Sequence, residues 1–238
     1  MLLRSLIYYV FINLWGGIIP IIYCSVFITG SRKWADRGAK TWSKVAFWIL
    51  YKICKVNYEV RGLENLPKNE SFIIACKHQS MWETVVMNLI FKRPAYVFKK
   101  ELLKIPLYGW YVKRMSGIIL DRKGGVRALK DLLSQSKKYL DNNQIVIIFP
   151  QGTRVPVGAS SKDYPYQVGI AAIYDYTKKI IVPAALNSGV YWNRRRVVKS
   201  GTIILEFLPP IMPGLKKKEF LSLLEEKIET RSNSRDMM

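Results

Sequence analysis

Apolar and polar positions fall into three regimes along the chain. From Ser5 to Ser31, 27 consecutive residues carry no charge, bracketed by Arg4 on one side and Arg32 and Lys33 on the other. A bilayer-crossing helix needs about 20 apolar residues, so the run is long enough. It is too long for a cleaved signal peptide and lacks a clear small-residue cleavage site before the basic cluster. Gly16, Gly17 and Pro20 lie in its middle, where they would kink a helix or let it turn back. A spanning helix and a re-entrant segment dipping into one leaflet therefore both fit.

Trp34 to Lys55 alternates basic positions (Arg37, Lys40, Lys44, Lys52, Lys55) with Trp42, Val45, Phe47, Trp48, Ile49 and Tyr51. Basic residues and tryptophan on one helix suit a membrane interface, and an ordinary amphipathic helix packed on a globular domain fits as well. Residues 1–55 are thus expected to be a membrane-associated helical segment. After Val56, short apolar runs alternate with helical periodicity. Ser71–Cys76, Ala95–Phe98, Gly117–Leu120, Gln144–Phe149, Ile180–Ala185 and Thr202–Phe207 read as strands, and Trp82–Phe91, Val126–Asn142, Val168–Thr177 and Lys216–Arg231 as helices. Strands alternating with helices predict an α/β layer fold with a mixed, largely parallel sheet flanked by helices. No repeat, low-complexity tract or linker interrupts it, so 56–238 is expected to be one domain.

Composition sharpens this picture. In 238 residues, 38 Lys and Arg face 17 Asp and Glu, giving a net charge of +21. Mean hydropathy is nevertheless +0.03, so apolar and basic residues are segregated, as in a protein that meets a membrane. Lys92 to Lys130 alone carries eleven basic and two acidic residues, which implies an anionic partner: a membrane surface, phosphorylated substrates or nucleic acid. The long uncharged N-terminal run and the lack of any zinc-finger, helix-turn-helix or RNA-recognition signature weigh against nucleic acid. Three scattered cysteines and one histidine offer no disulfide framework and no metal-ligand spacing.

That histidine, His78, follows the strand ending at Cys76 and precedes a helix, so it lies at a strand's carboxyl end, where open α/β sheets place ligands. Its unperturbed pKa of about 6.5 suits proton transfer near neutrality. Glu83 is five residues on. The two would meet only if His78 sits in the turn before the helix, and the carboxylate could then take the Nδ1 proton and leave Nε2 free as a base. A histidine here could equally cap a helix or satisfy a buried hydrogen bond. Cys76 is a poor nucleophile, since nothing nearby would lower its pKa on a buried strand. A second constellation follows Gln144–Pro150: in Gln151-Gly152-Thr153-Arg154, Gly152 allows close backbone approach, Thr153 offers a hydroxyl and Arg154 presents a fork for phosphate or carboxylate. Ordinary turn chemistry explains the same residues.

Taken together these motifs resemble the glycerolipid acyltransferase family. His78 with Glu83 is similar to its first block. Lys99-Lys100-Glu101-Leu102 through Ile105-Pro106-Leu107-Tyr108-Gly109-Trp110 to Asp121-Arg122 is similar to the second, Phe149-Pro150-Gln151-Gly152-Thr153-Arg154 to the third, and Ile181-Val182-Pro183-Ala184 to the fourth. The resemblance implies a single acyltransferase domain behind a membrane-associated helical pair. It also implies transfer of an acyl group from acyl-CoA or acyl-carrier protein to a lysophospholipid hydroxyl, with no metal or other cofactor. By the same resemblance His78 is the general base, Glu83 orients it, and Arg154 with Lys100 holds the acceptor's phosphate, with Arg122, Gln151, Gly152 and Thr153 completing the substrate site. The family's usual acceptor is 1-acylglycerol-3-phosphate, and the expected location is a membrane, on the cytoplasmic face of the inner or plasma membrane. Two departures stand out: the family usually has Asp where this chain has Glu83, and Glu where it has Gln151. The second removes a charge beside Arg154 and leaves open another lysolipid acceptor, such as a lyso-aminolipid. No Gly-x-Ser-x-Gly elbow supports a lipid hydrolase, and a non-catalytic basic membrane-binding protein would leave the His78 motif without a use.

Overall fold

The computed structural model describes residues 1–23, 31–105, 109, 117–192 and 197–237. Among them, seven strands form one sheet: β1 (Val56–Arg61), β2 (Ile73–Cys76), β3 (Ala95–Lys99), β4 (Gly117–Leu120), β5 (Val146–Ile148), β6 (Ile181–Leu186) and β7 (Gly201–Phe207). Their order is β1-β7-β6-β2-β5-β3-β4. Only the β6/β7 pairing is antiparallel, so the sheet is mixed and mostly parallel, as the alternation of strands and helices predicted.

Central strands covered by helices on both faces need apolar residues at every position rather than every second one. β2 and β6 are buried throughout. Along β2, Ile74 and Cys76 enter a core with Trp82, Val86 and Phe207, while Ile73 and Ala75 enter the opposite core with Ile170, Tyr174, Phe220 and Leu224. The helices supplying those cores are α1 (Leu2–Ile22), α2 (Arg32–Ile49), α3 (Trp82–Ile90), α4 (Gly125–Asp141), α5 (Val168–Thr177), the short α6 (Ser188–Tyr191) and α7 (Lys217–Ser232).

α2 packs one face on the rest of the structure and leaves the other open. Ala35, Ala39, Ser43 and Ala46 form a buried stripe of small residues, which lets α1 and α3 approach closely. Its other face exposes Trp34, Trp48 and Lys44, with the Arg37 guanidinium 4.9 Å from the Trp34 ring centroid. α1 runs antiparallel to it: a Cβ at Gly16 would stand 3.9 Å from Trp42, and the Tyr23 hydroxyl lies 2.8 Å from that of Thr41. The helix continues through Pro20 to Ile22. Its first turns dock on the globular body, where the Val198 amide donates to Ser5 Oγ at 3.0 Å and Trp192 Nε1 donates to the Tyr9 hydroxyl at 2.7 Å. α1 is long and apolar enough to cross a membrane, and little of it is buried.

Candidate active site

Five strands that are neighbours in the sheet, β6, β2, β5, β3 and β4, are mutually parallel, so the segments following them emerge on one edge. Those segments carry Ser188, His78, Gln151 to Arg154, Lys100, and Asp121 with Arg122. The topology thus gathers residues spread over more than a hundred positions of sequence.

α3 begins at Trp82, which leaves His78 in the preceding turn, the placement the His78 to Glu83 spacing requires. His78 Nδ1 and Glu83 Oε1 are 2.8 Å apart. The same oxygen accepts the backbone amides of Gln79 and Ser80 at 2.6 and 2.7 Å. Glu83 Oε2 accepts the hydroxyls of Ser80 at 2.9 Å and Ser188 at 2.8 Å. Glu83 is thereby completely buried yet surrounded by donors. Burial alone would raise its pKa, but the hydrogen bond and charge of His78 and the Ser80 amide outweigh it and hold the carboxyl below its ordinary value. An ionised carboxylate only accepts, so Nδ1 carries the proton and the Nε2 lone pair of a neutral ring is free. The ring stacks on Phe149, 4.1 Å between centroids, and its side chain keeps 14% exposure, enough for a ligand to reach its edge.

Ser80 and Ser188 escaped the sequence reading. Ser80-x-x-Glu83 is a capping-box spacing, with Glu83 reaching back to the Ser80 amide, and that signal was available. Ser188 arrives from 105 residues away and has no local signal. Gln79 Oε1 accepts the Gly189 amide at 3.0 Å, fastening α6 to the histidine turn.

The second constellation adjoins the first, for the Val155 amide donates to the His78 carbonyl at 2.7 Å. Gly152 adopts φ +67°, which favours glycine, and a Cβ there would stand 2.5 Å from the Arg122 guanidinium, which would have to move aside. Arg122 donates to the Gly152 carbonyl. Arg154 is exposed and Thr153 half-buried. Lys100 Nζ pairs with Asp121 at 2.7 Å, which holds its ammonium at the neighbouring strand end. Of the second block, 106–108 and 110–116 lie outside the described residues.

Gln151 differs from expectation. It is only 4% exposed and its amide turns inward, donating to the Tyr164 carbonyl at 3.2 Å and to Glu229 at 3.3 Å. Following Pro150 at the strand's end, it points under the loop instead of toward a ligand. Cys76 is completely buried and its thiol is pushed well up by burial, which bears out its rejection as a nucleophile. No cluster of His, Cys, Asp and Glu suited to a metal ion occurs among the described residues.

Comparison with known proteins bears on the family and the fold. Residues 57–187 match the acyltransferase family model. The chain is 35% identical over 173 residues to the 1-acyl-sn-glycerol-3-phosphate acyltransferase of Pseudomonas aeruginosa, covering 73% of this chain and 66% of that protein. It is 30% identical to the Bacillus subtilis enzyme of the same name, over 76% of this chain and 94% of that one. The crystal structure of the 1-acyl-sn-glycerophosphate acyltransferase PlsC from Thermotoga maritima superposes with a TM-score of 0.71 at 26% identity, covering 97% of this chain and 94% of that one. The chain belongs to the acyltransferase family and groups within it with the 1-acyl-sn-glycerol-3-phosphate O-acyltransferases.

Proposed function

We propose that this protein moves an acyl group from acyl-CoA or acyl-carrier protein to the sn-2 hydroxyl of 1-acylglycerol-3-phosphate, giving phosphatidic acid. The observation that carries the reading is the 2.8 Å contact between His78 Nδ1 and a buried, ionised Glu83, on an edge shared with the outward-facing Arg154. His78 Nε2 takes the proton of the lipid hydroxyl as its oxygen attacks the thioester carbonyl. The tetrahedral oxyanion then collapses, the C–S bond breaks, and the imidazolium returns its proton to the departing thiolate. Glu83 supports the positive charge that develops on the ring. Arg154 holds the acceptor phosphate, with Lys100, Arg122, Thr153 and the backbone at Gly152 around it. Gln151 serves this site from beneath. Because it faces inward, its departure from the family pattern no longer argues for a different acceptor.

The N-terminal 55 residues serve as the membrane anchor of the domain from Val56 onward. Both ends of the α1–α2 pair return to the globular body, which favours a hairpin inserted in one leaflet over a full span. Leu6, Val10, Phe11, Leu14 and Ile18 of α1 and Trp48 of α2 are exposed for contact with lipid, and the basic surface draws anionic headgroups. A site at that surface spares extraction of an acyl chain into water at about 0.8 kcal/mol per CH₂. The cytoplasmic face, which holds thioester donors, is its place. Mass spectrometry of products from a panel of lysolipids with one acyl-CoA tests the acceptor: phosphatidic acid should dominate, and a lysophosphatidylcholine or lyso-aminolipid product in its place would overturn the assignment.

A further inference from the structure

We infer that Glu229, on the C-terminal helix, is a positioning residue for acyl transfer: its one carboxylate ties the loop bearing His78 to the loop bearing Arg154. The inference rests on the roles proposed for those two residues. Lys77, the residue before His78, is 3% exposed, and its ammonium reaches both Glu229 oxygens at 2.5 and 2.6 Å. Its backbone amide is fixed on Ala184 of β6 at 2.9 Å, so the charged head is what joins this turn to α7. From the other loop, Gln151 Nε2 at 3.3 Å and the Tyr166 hydroxyl at 2.9 Å donate to the same Oε1. Tyr166 sits where that loop closes, beside the Gln167 amide that donates to Pro150 at 2.9 Å. A buried ammonium demands a buried counter-charge, and four donor contacts converge on this carboxylate.

The arrangement also accounts for the unusual amide at 151. A glutamate there would set a second carboxylate against Glu229 with one lysine between them, and it would lose the Gln151 bond to Oε1. Among the described residues Gln151 Oε1 has no partner, so the hydrogen bonds of this amide are those its nitrogen donates. Neutral 151 and acidic 229 form a complementary pair, in which the carboxylate beneath the loop comes from α7.

The test uses the full chain in detergent, comparing wild type, Glu229→Gln, Gln151→Glu and the exchange Gln151→Glu with Glu229→Gln. kcat, acceptor KM and the thermal midpoint are measured for each. Displacing the loops should raise acceptor KM and lower kcat in Glu229→Gln, together costing about tenfold or more in kcat/KM. Gln151→Glu should also be impaired, and the exchange, which returns one carboxylate to Lys77, should recover most of the loss. Unchanged kinetics in a folded Glu229→Gln would overturn the inference. Should that variant not fold, the exchange decides: a midpoint restored without restored KM and kcat would make the role merely structural and overturn it. Wild type and His78→Ala run in the same series. An inactive wild type, or an active His78→Ala, would sink the proposed reaction itself, whereas failure of the Glu229 series alone sinks only the positioning role.

Discussion

Replacing Glu83 by Gln separates the charge of this residue from its shape. The amide is nearly isosteric, and its oxygen can keep the acceptor position facing His78 Nδ1, Gln79 N and Ser80 N, so the imidazole tautomer survives. What disappears is the attraction between a carboxylate and an imidazolium in contact at 2.8 Å. Both charges are delocalised, so their centres lie about 4 Å apart, and with an effective dielectric of about 20 the attraction is roughly 4 kcal/mol for full charges. About half of it is realised when the proton is half transferred, so roughly 2 kcal/mol of barrier, about 30-fold in kcat, should be lost. Acceptor KM should move little, because Glu83 touches no substrate. Glu83→Asp shortens the reach by one methylene but keeps the charge, and should stay within about tenfold of wild type. Initial rates of thiol release from acyl-CoA at varied acceptor concentration give both parameters. The electrostatic reasoning is refuted if the Gln variant matches wild type or if the Asp variant falls as far as the Gln variant.

Three further outcomes follow from the same contacts. Ser188→Ala removes one of two hydroxyls on Glu83 Oε2; it should lower stability by about 1–2 kcal/mol in chemical unfolding and slow turnover modestly, whereas an unchanged midpoint would contradict the contact. Arg154→Ala should raise acceptor KM about 10- to 100-fold, the worth of charge-assisted phosphate bonds, with kcat nearly intact; a kcat defect without a KM defect would place Arg154 elsewhere. The Glu83 pKa is lower in the folded than in the unfolded chain, so its contribution to stability is full above the unfolded value of about 4.3 and is lost as pH falls through the folded one. Urea midpoints should therefore be insensitive to pH near neutrality as far as Glu83 is concerned and decline in strong acid, and Glu83→Gln should decline less over that acid range.

Much of the frame was legible in the chain. β2, β5 and β6 announced themselves because strands buried on both faces are uninterrupted apolar runs, and β3, β4 and β7, though partly exposed, still carry short runs of apolar residues. β1 did not: it is an edge strand in which Asn57, Tyr58 and Glu59 are exposed, so no apolar run marks it. The His78 to Glu83 spacing carried its own geometry, since only a turn residue can meet an acid in the first turn of the following helix. Strand order is invisible locally, and with it the arrival of Ser188 beside Glu83 and of Glu229 beneath Gln151. The inward turn of Gln151 follows from the acceptors beneath the loop, the Tyr164 carbonyl and Glu229, and the second of these is a fact of tertiary packing that no spacing reports. The N-terminal pair was readable as an apolar helix followed by an amphipathic one, but its antiparallel course depends on α1 docking at Val198 and Trp192, nearly two hundred residues downstream.

The central claim is that a single imidazole removes the proton from the lipid hydroxyl. Acceptor-dependent thiol release by His78→Ala, set against wild type in matched detergent with equal thermal midpoints, measures that claim most directly. Wild type should release thiol only when 1-acylglycerol-3-phosphate is present, and the variant should be slower by about 10²- to 10⁴-fold. A variant that keeps the wild-type rate, or a wild type that releases thiol without acceptor, would contradict it.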